Sequence, residues 1–165
     1  MALHSFIEYL KYSWKAKGRH GTHSPFVYDL VENVLMDKGT IKPESVIEYR
    51  SLPLKYENLI SRIALYYGCK NVLSVPAENS TIQKPDMLLL NDSRQWAVLF
   101  EHYAPVLNGN TIVVVPHIHQ TVLQTRAWGK IVAHPQVRMS IDLYGIGLLL
   151  FREEFKEKQH FVLKY

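Results

Sequence analysis

Apolar residues near the start of the chain recur at the spacing of an amphipathic helix. Five of them fall at positions i, i+3, i+4, i+7 and i+11: Leu3, Phe6, Ile7, Leu10 and Trp14. The mostly polar segment 16–23 contains two glycines, so we expect it to end this helix. Ser24 and Pro25 then favour a new helix start, since serine is a preferred cap and proline has no amide hydrogen to leave unpaired. The sequence therefore predicts two N-terminal helices, the second ending at Gly39.

Helices and apolar strands alternate from residue 54 onward. The apolar spacing predicts a helix over 54–67 that Gly68 ends, and further helices capped by Asp92 and by Thr121. Between the helices lie three short apolar segments that predict strands: Val72–Val75, the wholly apolar Met87–Leu90, and residues 111–115. Strands of this kind are typical of parallel sheets that are buried on both faces. The alternation predicts an α/β fold.

The last part of the chain has the period of two that marks a strand. Residues 137–143 alternate between apolar and polar, and we expect the polar side to face water: Arg138, Ser140 and Asp142. Tyr144 and Gly145 form a predicted turn, and residues 146–151 return as the partner strand. The sequence thus predicts an antiparallel hairpin at the C-terminal edge of the sheet, followed by a final strand within 160–165.

Length and composition are those of a single globular domain. The chain has 165 residues, of which 47% are hydrophobic and 21% charged, and this excludes a disordered chain. We expect one domain over 1–165, with an N-terminal helical segment, 1–39, and an α/β core, 54–165. The single cysteine, Cys69, excludes an internal disulfide framework. Without a signal peptide or a membrane-length apolar run, we expect a cytoplasmic protein with no membrane partner.

Positive charge is concentrated near the N-terminus. The net charge is +4. The first twenty residues contain four basic side chains and one acidic side chain, Glu8; the basic ones are Lys11, Lys15, Lys17 and Arg19. Such a segment can bind anions or nucleic acid. A solvated helix face explains the same pattern more simply. Anion or nucleic-acid binding is therefore a third hypothesis, and we expect no nucleic-acid partner.

Three stretches carry a family resemblance, in order along the chain: residues 19–28 (RHGTHSPFVY), residues 50–63 and residues 127–148. Together they resemble a bacterial group of class I S-adenosylmethionine-dependent methyltransferase-like proteins. The resemblance implies a Rossmann-like sheet of order 3-2-1-4-5-7-6, with the cofactor over the C-terminal ends of strands 1, 2 and 4. It also implies an acidic, glycine-rich turn after strand 1 and an acid at the end of strand 2 that holds the ribose hydroxyls.

The chain departs from that pattern where the cofactor would bind. Ser74 lies where the resemblance implies an acid, and Pro76 where it implies the first glycine. Only residues 76–85 separate the first two apolar strands, whereas a complete core would insert roughly 65–70 residues there. We therefore expect a reduced Rossmann-like sheet that lacks strands 2 and 3. Strand 1 could run either parallel or antiparallel to strand 4. Strand 1 becomes an edge, which we expect the N-terminal helices or a second subunit to cover.

Histidines supply the candidate chemistry. His117 and His119 follow a buried strand, and on a strand their side chains would share a face, a geometry that could hold a metal ion, although we expect none. A structural role for His119 is the simpler interpretation. Arg19, His20 and His23 surround glycines before a helix start, where they could hold an anion or, as we favour, pack the N-terminal helices onto the sheet.

These observations favour a shortened methyltransferase-like protein that is not an enzyme and binds no cofactor. We expect it to be a binding or assembly module that forms a homodimer or another oligomer. The alternative is an active methyltransferase acting on a small molecule, since methyl transfer needs only the sulfonium placed beside a nucleophile. In that alternative, S-adenosylmethionine is held by residues near the strand ends: Ser74, Asn79, Asn91, His117 and His119.

Overall fold

Five helices and six strands make up the described part of the chain. The computed structural model describes residues 3–18, 24–36, 52–75, 84–91 and 95–165. Its helices are α1 (Leu3–Lys15), α2 (Pro25–Leu30), α3 (Leu54–Tyr66), α4 (Trp96–Tyr103) and α5 (Val122–Ala133). Its strands are β1 (Val72–Val75), β2 (Met87–Leu90), β3 (Ile112–Pro116), β4 (Met139–Asp142), β5 (Ile146–Leu150) and β6 (Gln159–Val162). None of the helices in these ranges is long and apolar enough to cross a membrane.

Several helix boundaries lie where the sequence predicts them. The hydroxyls of Ser24 and Thr121 accept hydrogen bonds from amides three residues further on, at 3.5 and 3.2 Å, and so cap α2 and α5. Gly68 follows α3 with a φ of 65°, the left-handed conformation that favours glycine after a helix. The predicted cap Asp92 and the predicted helix end Gly39 lie outside the described residues. A π-helical turn, Val31–Leu35, continues α2.

The six strands form one sheet in the order β1-β2-β3-β5-β4-β6. β1, β2 and β3 pair in parallel, β5 runs antiparallel to both of its neighbours, and β6 pairs in parallel with β4. The α/β class is therefore confirmed, and so is the antiparallel pairing of β4 with β5. The edge position predicted for that hairpin is wrong, because β6 pairs along the free side of β4.

Alternate strand residues enter two separate cores, one on each side of the sheet. On one side, α2 and α3 pack against a core that includes Leu89 and Val114. On the other side, α4 and α5 pack against a core that includes Leu88 and Val113. Neighbouring residues of one strand thus point to opposite helical layers. The sheet is covered on both faces, as the largely apolar sequences of its central strands predict.

The polar side of β4 is buried, contrary to the wet face that its alternating sequence predicts. Ser140 is fully buried and Asp142 is 5% exposed. The Ser140 hydroxyl lies 2.8 Å from Nδ1 of His160 on β6, and an Asp142 carboxylate oxygen lies 2.6 Å from His119. Because distant segments supply these polar partners, the strand can bury both groups at little cost.

α1 forms as predicted, but the side that it turns toward the protein is not its apolar side. Tyr12 is buried, and its hydroxyl donates a hydrogen bond to the carbonyl of Leu163 at 2.5 Å. Lys17, just beyond the helix, forms a parallel bridge with Leu163. The five apolar residues of the helix face solvent instead, and Trp14 is 95% exposed. Polar contacts therefore hold α1 at the β6 end of the sheet.

β1 lies at the opposite edge of the sheet from β6. Three of its four residues are half-buried and the last, Val75, is buried. The prediction that the N-terminal helices cover this edge is wrong for the described residues, since α1 is held near β6 and α2 packs on one face of the sheet. Coverage by a second subunit stays a prediction. With only four residues, β1 exposes little unpaired backbone, which itself limits edge-to-edge association.

Candidate functional site

The carboxyl ends of β1, β2 and β3 meet at one end of the sheet, where α/β proteins commonly bind ligands. Ser74 lies near the end of β1, and Asn91 directly follows β2. The Asn91 side-chain amide donates to the Ser74 hydroxyl, and its backbone amide donates to the Val75 carbonyl at 2.6 Å. These two residues of the predicted cofactor set are therefore brought together, and they bond to each other.

His117 and His119 lie in a turn and not on a strand, because β3 ends at Pro116. His117 has a φ of 55°, and its amide donates to the Gly145 carbonyl at 2.7 Å. The two imidazoles therefore do not share one face of a strand. The prediction of a metal site that depended on this strand geometry is wrong. In the part of the chain that the structure describes, no three His, Cys, Asp or Glu side chains form a group that could hold a metal ion.

A buried hydrogen-bonded pair joins the turn after β3 to the end of β4. Nε2 of His119 lies 2.6 Å from Oδ2 of Asp142, and both side chains are about nine-tenths buried. Since a carboxylate only accepts, the imidazole donates through Nε2 and its neutral form keeps Nδ1 as an acceptor. The other carboxylate oxygen accepts the backbone amide of Tyr144 at 2.8 Å. Asp142 therefore fixes both His119 and the turn between β4 and β5.

Thr125 and His4 extend this pair into a chain of hydrogen bonds. The Thr125 hydroxyl makes a long contact of 3.5 Å with Nδ1 of His119, and Nε2 of His4 lies 3.1 Å from the same hydroxyl. The chain connects α1, α5, the turn after β3 and β4. Both ring nitrogens of His119 have partners within it. This arrangement suits a side chain that positions four segments better than one that accepts a proton from a substrate.

A cavity of about 490 Å³ lies beside this chain, between α1, the start of α3 and the turn after β3. Its lining is rich in tyrosine, with Tyr9, Tyr56 and Tyr144, and it includes His117 and His119. The ring of Tyr144 stacks on that of His119 at 5.8 Å between centroids. Neither Ser74 nor Asn91 lines this cavity. The structure therefore divides the predicted cofactor set into two separate places.

Two tyrosine hydroxyls near this cavity bind backbone groups. The Tyr56 hydroxyl donates to the Leu143 carbonyl at 3.2 Å and accepts the Gly145 amide at 3.1 Å. Burial raises the pKa of Tyr56 to about 12, and it raises the pKa of Tyr12 to about 12 as well. Gly145 is needed here, because a Cβ at that position would overlap the Tyr56 ring. Both hydroxyls therefore stay protonated at neutral pH and serve as structural donors.

A second, smaller cavity of about 270 Å³ lies between α1, α5 and β6 and shares His119 with the first. His160 borders it, with Nδ1 bound to the Ser140 hydroxyl. Desolvation lowers the pKa of His160, although the nearby Asp142 opposes that effect. His160 is therefore held in its neutral form, and it completes the polar layer that covers β4.

Other predicted positions carry less chemistry or lie outside the described residues. Arg19, His20 and His23 lie outside them, and so does Asn79 of the predicted cofactor set. Cys69 is half-buried, and burial raises its pKa to about 11, so its thiol is not activated.

Sequence reasoning missed most partners of His119. Asp142 was interpreted as one of a row of solvent-facing positions, and Thr125 lies inside a helix with an ordinary amphipathic pattern. The available signal was an acid at a strand end two residues before Tyr144 of the Tyr144–Gly145 turn, where a carboxylate can cap the turn backbone. Comparison of the chain with models of known families, with curated proteins and with solved structures gives no match.

Proposed function

We propose that this chain is a reduced, methyltransferase-like α/β domain that has no catalytic role and acts as a binding and assembly module. The strand order supports this proposal. The order β1-β2-β3-β5-β4 corresponds to 1-4-5-7-6, the order that the family resemblance implies once strands 2 and 3 are removed. β6 then adds one further strand beside β4.

The observation that carries the proposal is the edge position of β1. In the implied family sheet, strand 2 lies beside strand 1 and supplies the acid that holds the ribose of the cofactor. Here β1 pairs with β2 on one side, and no strand of the described chain pairs with its other side. The eight residues 76–83, which lie outside the described ranges, are far too few for two strands and their helices. Among the described residues, the half of the site that would bind the nucleoside therefore has no counterpart.

The polar groups at the strand ends also support a non-catalytic role. Ser74, in place of the expected acid, accepts the Asn91 amide, and His119 has a partner for each ring nitrogen. Groups that catalyse or bind substrate usually keep a donor or acceptor directed at the ligand. These groups are instead directed at one another.

Calorimetric titration with S-adenosylmethionine and with S-adenosylhomocysteine tests the proposal. We expect no heat beyond dilution, while an active methyltransferase measured in the same buffer gives a saturable signal. Saturable binding in the micromolar range would overturn the proposal. Asn91→Ala then locates the site: if this variant loses the heat, the cofactor binds at the strand ends and the active-methyltransferase alternative replaces our proposal.

A further inference from the structure

The apolar residues of α1 form a continuous, solvent-facing surface, which we call the α1 stripe. It consists of Leu3, Phe6, Ile7, Leu10 and Trp14, which are 75, 49, 41, 50 and 95% exposed. The opposite side of the same helix makes the contacts with the protein, through Tyr12, Ser5 and His4. Since apolar helix faces are normally buried, a stripe on the outer side of a docked helix needs a partner.

The area of the α1 stripe is that of half a small interface. Fully exposed aromatic side chains present roughly 150–250 Å² each, and the exposed fractions here leave about 600 Å² of stripe surface. This is at the upper end of the largest apolar patch on an ordinary monomer, about 300–600 Å². Two such stripes would bury about 1,200 Å² together, which is the lower limit for a specific protein interface.

Four of the five residues of the α1 stripe, all except Phe6, are spaced symmetrically along the helix. Leu3, Ile7, Leu10 and Trp14 are separated by four, three and four positions, so the pattern is the same in both directions. An antiparallel copy therefore places Leu3 opposite Trp14 and Ile7 opposite Leu10, and the reverse pairs form at the same time. This is the self-complementarity that a two-fold interface requires.

The charges around α1 favour a second copy over an anionic surface. Lys11 is bound to Glu8 at 2.7 Å, so the lysine nearest to the stripe is already paired. Lys15 borders the cavity between α1, α5 and β6, which lies on the protein side of the helix. A helix that binds anionic lipid needs free cations beside its apolar face. In this helix Lys11 is paired, and the exposed Lys15 lies beside the cavity and away from the α1 stripe.

We propose that the α1 stripe is the dimer interface of this chain, with two copies of α1 packed antiparallel. The inference rests on the proposed assembly role and identifies its partner and its surface. Because the interface is apolar and close to the lower size limit, association falls in the micromolar range and is not weakened by salt.

Sedimentation equilibrium of the full chain, over a concentration series, tests this inference. We expect the weight-average mass to rise from that of one chain to that of two. Leu10→Glu places a charge in the centre of the α1 stripe, and Trp14→Ala removes its most exposed residue without adding charge. Both should raise the dimer dissociation constant at least tenfold, with unchanged circular dichroism. Val98→Glu is the matched control, since Val98 is 68% exposed on α4, and it should leave the dimer intact.

Other outcomes separate failure of this inference from failure of the assembly role. If the wild-type chain associates and both α1 variants associate equally well, another surface forms the interface, and only the α1 inference is overturned. A wild-type chain that stays monomeric at every concentration overturns both. A monomer with a shielded Trp14, seen as a blue-shifted difference between the fluorescence of the wild-type chain and that of Trp14→Ala, shows that the chain itself covers the α1 stripe. A monomer that binds anionic phospholipid vesicles in a salt-sensitive way shows that the stripe binds lipid. Each of these two results also overturns the inference.

Discussion

Replacing His119 with alanine tests whether its buried pair with Asp142 is structural. The substitution removes the imidazole that lies 2.6 Å from the carboxylate, and it leaves a carboxylate of which only 8% is exposed. Removing a hydrogen-bond donor from a buried acceptor costs about 1–3 kcal/mol, and more when the acceptor is charged. The Asp142 carboxylate keeps its bond from the Tyr144 amide and borders a cavity that water can enter, so we expect a cost of about 3 kcal/mol.

Urea unfolding followed by circular dichroism measures this cost as a lower transition midpoint at unchanged slope. In thermal unfolding the same change lowers Tm by about 6–12 °C for a domain of this size. His4→Ala is the matched control, because His4 lies at the outer end of the same hydrogen-bond chain and should cost only about 1 kcal/mol. The double variant His119→Ala with Asp142→Ala should cost less than the two single variants together.

One result would contradict a structural role for the His119–Asp142 pair. If His119→Ala destabilises the protein no more than His4→Ala does, the pair contributes little to the fold. The buried, hydrogen-bonded geometry of His119 would then have to serve something other than stability, and a catalytic or ligand-binding role would become the better explanation.

Three further predictions follow from packing and burial. Because burial raises the pKa of Tyr12 and Tyr56 to about 12, each tyrosine contributes stability that is complete below pH 10 and is lost as the pH rises toward 12. The tyrosinate absorbance of these two residues should therefore rise only at high pH, together with unfolding. Ionisation of every tyrosine near pH 10 would contradict this prediction. Gly147→Ala should destabilise the protein by about 2 kcal/mol or more in urea unfolding, because a Cβ there would lie 2.5 Å from the Trp128 ring, and an unchanged midpoint would show that the ring moves freely. Cys69 should react slowly with a thiol reagent at pH 8 and at least tenfold faster in urea, since burial raises its pKa to about 11; equal rates would contradict its burial.

The sequence was informative where a local pattern determines structure. The strands β2 and β3 could be predicted because a strand buried on both faces is apolar at every position, and β1 follows the same pattern except at Ser74. The ends of α2, α3 and α5 could be predicted because Ser24, Gly68 and Thr121 interact with backbone only a few residues away. In each case the deciding contact lies within one turn of the helix or within one strand.

The sequence was uninformative where a distant residue decides. The apolar spacing of α1 indicates a helix, but its orientation is set by Tyr12 and Ser5, whose partners lie more than 130 positions away. The alternating pattern predicts that Ser140 and Asp142 face solvent, because their partners His160 and His119 lie about twenty positions away and no local pattern indicates them. The candidate site depends on these contacts, so most of its geometry could not be predicted.

The most direct test of a reduced, cofactor-free domain is amide NMR during titration with S-adenosylhomocysteine. The resonances of Val75 and Asn91 report on the ends of β1 and β2, where the family resemblance implies the nucleoside. We predict that both amide signals stay unchanged at millimolar ligand. Saturable shifts of these two signals would show that the strand ends still bind the cofactor, and they would contradict the central claim.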